Sequence, residues 1–494
     1  MKNFFLFIRK GFRVVQYSLL ILVIAVTITV LLSGNPDYKG TLNENIINDI
    51  TQLNPIRVDK VIRPTSTEAI IVAIKSTTGP ISIGGGRYSM GGQTAMESSL
   101  HLDMRSYNKI IAFSEDRREI TVQSGITWRK IQGYIDPHDL SVKIMQTYSN
   151  FTVGGSMSVN VHGRYIGHGP LISSIKSFRI ILADGSLMEA SPEKNPHLYY
   201  SAIGGYGGIG VIADVTLLLD PNSKVERKTQ TMEMKEYRKH FFKNIRDNKK
   251  VIFHNADLYP PDYDTLRDVS WYITDKPVTV EERLIPEDRE YYWLPKLVAL
   301  VPSMPFGEAI RENIFDPSYY IEDRVAWRNW EASYDVRELG EGDRSEYTYV
   351  LQEYFIPVEN FEQFIPKMRE IYQRYDVDIL NVSIRHALPD MGSYLAWARK
   401  EVFAFVVYYR QGTTDEDKRV VGQWSREIID AILSENGTYY LPYQPSATVE
   451  QFRKAYPNAE RFFTVKHQVD PNYRFQNKLW EKYFPSMKAK ETIE

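Results

Sequence analysis

The chain has 494 residues, too many for one ordinary hydrophobic core, so two or three lobes are expected; 43% hydrophobic and 25% charged residues is ordinary globular composition. With 60 basic against 62 acidic residues the net charge is -2, which gives no electrostatic case for nucleic acid as a partner. The absence of cysteine excludes disulfides, thiolate metal sites, a cysteine nucleophile and any cysteinyl link to a cofactor.

Residues 14–32 are apolar except for Gln16, Tyr17, Ser18, Thr27 and Thr29. As a helix they would span about 28 Å, close to the hydrocarbon thickness of a bilayer. Lys2, Arg9, Lys10 and Arg13 precede the run, and the positive-inside rule then places Met1 in the cytoplasm and the remainder on the extracytoplasmic side. A single-pass membrane anchor over residues 1–33 is therefore expected. A cleaved signal peptide is the rival reading, but no small-x-small cleavage pattern follows the run. Residues 34–55, rich in Asn, Asp and Gly, read as a linker.

From 56 to 221 short apolar runs are broken by glycines. Residues 81–83, 110–113, 119–122, 178–182 and 211–219 read as strands, and 67–76 and 127–135 as helices. Ala183-Asp184-Gly185-Ser186 is a hairpin signal. Beyond Asp220-Pro221 the texture becomes aromatic, charged and poor in glycine. There strands are expected at 346–356, 377–386 and 402–409, and helices at 358–375 and 415–435. An antiparallel sheet with helices over 222–438 suggests a separate substrate-covering (cap) lobe. Residues 439–494 form a final segment, with a turn at Asp470-Pro471 and a short helix after it. The fold class is α+β.

Three glycine clusters carry the chemistry. The first is Ile83-Gly84-Gly85-Gly86-Arg87-Tyr88-Ser89, a strand running into a turn. Glycines let the backbone approach a ligand closely, and successive N–H groups in such a turn cradle an anion. The second is Thr152-Val153-Gly154-Gly155-Ser156-Met157-Ser158-Val159-Asn160-Val161-His162-Gly163, and the third Gly204-Gly205-Tyr206-Gly207-Gly208-Ile209-Gly210. Together they suggest one extended ligand lying along several turns. The G-x-G-x-x-G pattern opening a helix is absent, as is G-x-S-x-G, and the nine histidines show no metal-ligand spacing.

In order along the chain, Arg63-Pro64, the 84–89 loop, Leu102-Asp103-Met104, Val122-Gln123-Ser124-Gly125, the 152–155 and 160–163 segments, Ala183-Asp184-Gly185 and Gly208-Ile209-Gly210-Val211-Ile212 resemble the FAD-binding PCMH-type domain of the vanillyl-alcohol oxidase / p-cresol methylhydroxylase family. Asn160-Val161-His162-Gly163-Arg164 and the C-terminal Lys466-His467-Gln468-Val469-Asp470-Pro471 with Phe475 resemble its sugar-oxidase branch, which includes decaprenylphosphoryl-ribose 2'-oxidase and the aldonolactone and alditol oxidases. The resemblance implies a two-subdomain FAD domain over 56–221 and hydride transfer from a CH–OH group of a sugar-derived, conceivably lipid-linked, substrate to flavin N5. The electron acceptor is left open among oxygen, a quinone and a protein. A reductase of a carbon–carbon double bond and a non-catalytic flavin-binding protein are the alternatives.

By the same resemblance, Ile83, Gly84, Gly85, Gly86, Arg87, Tyr88 and Ser89 hold the pyrophosphate. Thr147, Thr152, Gly154, Gly155, Ser158, Asn160 and His162 pass beside the ribityl chain and ring, His162 in a strand along the ring. Ile212 meets the adenine end and Tyr440 approaches the ring. Many family members carry a flavin-linked histidine where this chain has Arg87, so noncovalent FAD is expected. Arg87 then either pairs with phosphate or stands in solvent. The expected catalytic residues are His162, Arg385, Tyr443 and Glu353. Strand alternation lets only one of Gln352 and Glu353 face the substrate, and Glu353 is favoured. Arg385 lies where the branch pairs an arginine with an acid, but the acid's place is taken by Ser383. Tyr443 replaces a lysine of decaprenylphosphoryl-ribose 2'-oxidase, and a phenol is a poor base unless perturbed. Lys466 either substitutes for that cation or pairs with Asp470. His168 is read as a loop histidine.

Overall fold

A computed structural model describes residues 44–287, 289, 320, 322–339 and 344–484. The expected anchor at 14–32 lies outside the described residues, and among those described no helix is long and apolar enough to cross a membrane.

Besides a short antiparallel ladder of β1 (Ile46–Ile47) and β2 (Ile56–Arg57), the N-terminal half builds two larger sheets. Strands β3 (Lys60–Ile62), β4 (Ile81–Gly84) and β5 (Leu100–Asp103) form a parallel sheet in the order β3-β5-β4. Helix α1 (Thr67–Lys75) connects β3 to β4. Ser66 caps it by accepting from the Ala69 N–H at 3.1 Å, and Ile70, Ala73 and Ile74 form its buried stripe. The second sheet is antiparallel. Its strands β6 (Ile110–Ser114), β7 (Glu119–Gln123), β9 (Ile175–Ile181), β10 (Leu187–Ala190) and β11 (Val211–Pro221) run in the order β10-β9-β11-β7-β6. The hairpin between β9 and β10 turns at Gly185, whose φ of 83° explains the glycine. Between β7 and β9 lie α2 (Trp128–Ile135), the short strand β8 (Leu140–Val142), which pairs with the end of β11, and α3 (Val153–Val159).

Helix α3 corrects the sequence reading. Residues 153–159 are helical, and His162 sits in the irregular segment after them, not in a strand. Two adjacent glycines and a valine at each end made helix a poor expectation from propensity. Tertiary contacts override it. The Thr152 hydroxyl caps the helix, Gly154 N–H donates to the Ser124 carbonyl at 2.7 Å, and Trp128 Nε1 donates to Ser156 Oγ at 2.9 Å.

After β11 the chain enters an eight-stranded sheet containing β12 (Lys224–Glu233), β13 (Val251–Leu258), β14 (Thr265–Ile273), β15 (Val325–Trp327), β16 (Tyr347–Pro357), β17 (Ile379–Ala387), β18 (Val402–Gly412) and β19 (Thr438–Tyr439). In its second half β18 lies between β17 and β16, with Arg385 opposite Ala404 and Glu353 opposite Val406. Helices α7 (Phe361–Arg374) and α8 (Asp415–Ser434) cover one face: Phe364 packs on Phe405 and Trp424 on Tyr409, and Tyr372 joins the two helices through Trp424. (Helices α4–α6 are Pro196–Ala202, Met234–Asn244 and Arg328–Glu331.) Alternation turns Gln352 to the helix-covered side, where it donates to Tyr409 and Ser425, and turns Glu353 to the opposite face.

The C-terminal segment carries α9 (Val449–Ala455), α10 (Ala459–Val469) and α11 (Lys478–Tyr483), and it returns to the first half. Ile81 N–H donates to the Arg474 carbonyl at 2.6 Å, and Gln476 N–H to the Ile81 carbonyl at 3.0 Å, so this segment lies along β4. Lys466 and Asp470, both fully buried, pair with each other, and Lys466 Nζ also donates to the Phe475 carbonyl at 2.9 Å.

Candidate active site

A cleft with about 1390 Å³ of empty space, open solvent at its mouth included, runs between the first half of the chain, the uncovered face of the eight-stranded sheet and the 440–443 stretch. All three glycine clusters reach it: the first through 84–89, the second through Gly154 and Gly155, the third through Gly207 and Gly210. The 84–89 loop is clasped from the C-terminal side. Met90 N–H donates to the Pro442 carbonyl at 2.7 Å, and the Gln93 amide donates to the Leu441 and Tyr443 carbonyls, each at 2.7 Å.

At one end of the cleft Arg63, Arg87 and Arg105 converge on the carboxylate of Asp103, at 3.8, 3.3 and 2.6 Å. Burial opposes ionisation of Asp103, yet the bonds from Arg105 and the field of Arg87 hold its carboxyl below the ordinary range. With Glu44, 3.6 Å from Arg63, the three arginines still outnumber the two acids and leave the region electropositive. Arg87 itself adopts a φ of 63°, and its Nε is buried with no hydrogen-bond partner among the described residues.

At the other end His162, Glu353, Arg385 and Tyr443 come together, although they lie in three distant parts of the sequence. Glu353 is 6% exposed. Its Oε2 accepts from His162 Nε2 at 2.5 Å and its Oε1 accepts from the Tyr443 hydroxyl. Burial pushes the Glu353 carboxyl up, but His162, Arg385 and Tyr443 outweigh it and hold the group below the usual carboxylate range. Burial and the neighbouring Glu353 push the Tyr443 phenol well above its ordinary value. Arg385 makes no ion pair among the described residues, and its Nε is buried without a partner. Tyr440 packs beside this cluster, its N–H donating to the Glu353 carbonyl at 3.0 Å and its ring 5.9 Å from that of Tyr443. Its hydroxyl donates to the Val159 carbonyl at 2.8 Å and its ring packs 6.0 Å from that of His162.

Residues 58–191 match the family described as FAD binding domain. This chain carries an FAD-binding domain. L-gulonolactone oxidase of Bos taurus is 20% identical to it over 439 residues, covering 85% of this chain and 94% of that protein. The mitochondrial L-galactono-1,4-lactone dehydrogenase of Arabidopsis thaliana is 27% identical over 159 residues, 32% of this chain and 25% of that protein. A mutant cholesterol oxidase from Brevibacterium sterolicum superposes with a TM-score of 0.68 at 13% identity, over 92% of this chain and 100% of that one, a likeness of fold alone.

The cleft suits FAD. The glycine turns supply close main-chain approach, and the unpartnered guanidinium atoms of Arg87 and Arg385 offer donors to a phosphate at one end and to a polar ring edge or substrate at the other. Ile83, Gly84, Gly85, Gly86, Arg87, Tyr88, Ser89, Thr152, Gly154, Gly155, Ser158, His162, Ile212 and Tyr440 all line it. Two of the expected contacts do not. Asn160 takes a left-handed conformation that closes α3, and its side chain donates to Asp390 at 2.7 Å and accepts from Ile172 N–H at 3.0 Å, which leaves it behind the cleft wall. Thr147 lies between the lining residues Gln146 and Tyr148 and does not line the cleft, its hydroxyl buried without a partner. Arg87 pairs with Asp103 through one guanidinium nitrogen, its side chain 20% exposed. Lys466 is committed to Asp470 and Phe475 and takes no part in the cleft. The Asp103–arginine cluster escaped the sequence reading. Only the convergence of 63, 87 and 105 in space reveals it, since the spacing of the three arginines in sequence follows no pattern.

Proposed function

We propose that the chain is an FAD-dependent oxidoreductase that oxidises a CH–OH carbon of a sugar-derived small molecule, held noncovalently to its FAD. The observation that carries this reading is one cleft with FAD-binding glycine turns at one end and a buried acid–base cluster with an unpaired arginine at the other. Curated relatives named as sugar-lactone oxidases and dehydrogenases support the substrate class. FAD, when bound, supplies the hydride acceptor. The protein contributes position and charge. Arg385 offers fixed donors to a substrate oxygen and a cation to balance negative charge developing there, beside the buried Glu353. Glu353 and His162 form a pair that holds both side chains in one orientation. The chain has no cysteine and the 84–89 loop has no histidine, which supports a cofactor free of covalent attachment. The apolar run at 14–32 supports a single-pass anchor with the enzyme on the extracytoplasmic side, where a lipid-linked sugar would be within reach.

The test is a visible spectrum of residues 35–494, repeated on the supernatant after acid precipitation, followed by anaerobic addition of L-gulonolactone, L-galactono-1,4-lactone and a panel of aldoses and alditols. Flavin bands that move wholly to the supernatant, and that bleach with a sugar, are expected. Colour retained by the pellet would overturn noncovalent binding. Full retention of the oxidised spectrum with every sugar would overturn the oxidation chemistry.

A further inference from the structure

Oxidising a hydroxyl-bearing carbon requires something to take the hydroxyl proton, and the geometry narrows what that is. His162 is not free to do so. Its Nε2 faces Glu353 Oε2 at 2.5 Å and its Nδ1 faces the Gly163 carbonyl oxygen at 3.4 Å, so both ring nitrogens point at acceptors in the protein. Both oxygens of Glu353 are already occupied, one by His162 and one by Tyr443. Arg385 carries no basic lone pair. Tyr443 differs from all of these. It spends its one proton on Glu353, which leaves the lone pairs of its oxygen able to accept from a hydroxyl in the cleft that it lines.

We infer that Tyr443 is a proton relay: it takes the substrate's hydroxyl proton on Oη while passing its own proton to Oε1 of Glu353, the terminal acceptor. In this step the substrate O–H bond breaks and a new Tyr443 Oη–H bond forms; the old Tyr443 O–H bond breaks and a Glu353 Oε1–H bond forms. No electrons change hands in the proton transfer; the two electrons leave carbon with the hydride, in the chemistry proposed above, on which this inference rests. Tyr443 ends as it began, a neutral phenol, so its weakness as a resting base is no obstacle. Glu353 ends as a neutral acid. Arg385, close enough to feel the charge of both Glu353 and Tyr443, balances the substrate oxygen while the proton is in flight. His162 acts as a positioning residue, holding Glu353 Oε2 so that Oε1 stays directed at Tyr443. The 443 position is itself held by the Gln93 amide through the Tyr443 carbonyl.

The relay is tested on the FAD-loaded protein by anaerobic stopped-flow bleaching with the sugar panel named above, in wild type, Tyr443→Phe and Glu353→Gln. Bleaching should slow by about 100-fold or more in each variant, in kcat with little change in KM. The proton inventory in mixed light and heavy water should show two protons moving in wild type. Infrared difference spectra on bleaching should show a carboxylic-acid C=O band that appears in wild type and is missing in Glu353→Gln. Phe is isosteric with Tyr apart from the hydroxyl, so Tyr443→Phe is expected to keep the fold, checked by undiminished FAD binding. Bleaching of Tyr443→Phe within about threefold of wild type would overturn the relay alone, as would a wild-type infrared spectrum with no new carboxylic-acid band. Failure of every sugar to bleach the wild type would instead overturn the functional reading and the relay together.

Discussion

Replacing Lys466 by Met tests how the C-terminal segment supports the FAD cradle. Lys466 and Asp470 are both 0% exposed, so neither partner is relieved by solvent. Removing the ammonium leaves a buried carboxylate that still accepts from the Arg474 and Phe475 N–H groups, at 2.9 and 2.8 Å, but has lost its counter-charge. Breaking a buried pair from one side costs about 3–5 kcal/mol. The damage is local to 470–476, the stretch that hydrogen-bonds to Ile81 on β4, and β4 runs directly into the 84–89 loop. If a third of about 4 kcal/mol reaches the cradle, the FAD dissociation constant rises about tenfold, since ~1.4 kcal/mol is a factor of ten. Flavin fluorescence titration reads that constant, and denaturant midpoints of the FAD-loaded protein read the stability. The double variant Lys466→Met/Asp470→Asn removes the unpaired charge and keeps an acceptor for one of the two N–H groups, which reach different oxygens of Asp470, so it should recover part of the loss. Equal stability and equal FAD affinity of the single and double variants would refute the assignment of the effect to an uncompensated buried charge.

Arg385→Met should leave FAD binding intact and slow sugar-dependent bleaching about 100-fold, measured by stopped flow, because it removes fixed donors and positive charge beside the reacting oxygen. Gly125→Ala should destabilise the protein by about 3 kcal/mol or more, read from its denaturant midpoint, because a Cβ there would stand 1.8 Å from the Met104 carbonyl oxygen and 2.6 Å from that of Tyr107, neither of which can swing aside. Glu353 is held below its ordinary carboxyl value in the folded protein, so the unfolded chain binds the extra proton first as pH falls. The network's contribution is therefore fully present at neutral pH and is lost below about pH 4.3, as the pH drops through the folded value. Urea midpoints measured from pH 6 downward should fall less steeply in Glu353→Gln than in wild type.

Strands were legible wherever β-branched and aromatic residues ran together, as in 211–219 and 402–409, because the sheets bury them on at least one face. Alternation narrowed the cleft-facing residue to one of Gln352 and Glu353; the helices that cover the Gln352 side decide between them. Helix α3 was not legible: its glycines are poor helix formers, and what holds it is contact with Ser124 and Trp128, far away in sequence. Asn160, which the family resemblance put beside the flavin, is used by the fold to end a helix and hold Asp390, a role set by contacts far away in sequence. The bridging of His162 to Tyr443 by Glu353 could not be read either, because it depends on how two lobes and a returning tail meet in space.

That returning tail sets the order of events during synthesis. Tyr440 and Tyr443 close one side of the cleft, Phe475 and its neighbours brace β4, and all of them emerge from the ribosome after both lobes. The nascent chain can fold its earlier sheets co-translationally, but the cofactor site is incomplete until residues 440–476 have been made. Flavin loading is thereby tied to the synthesis of this stretch, and a chain truncated before Tyr440 would lack one wall of the cleft.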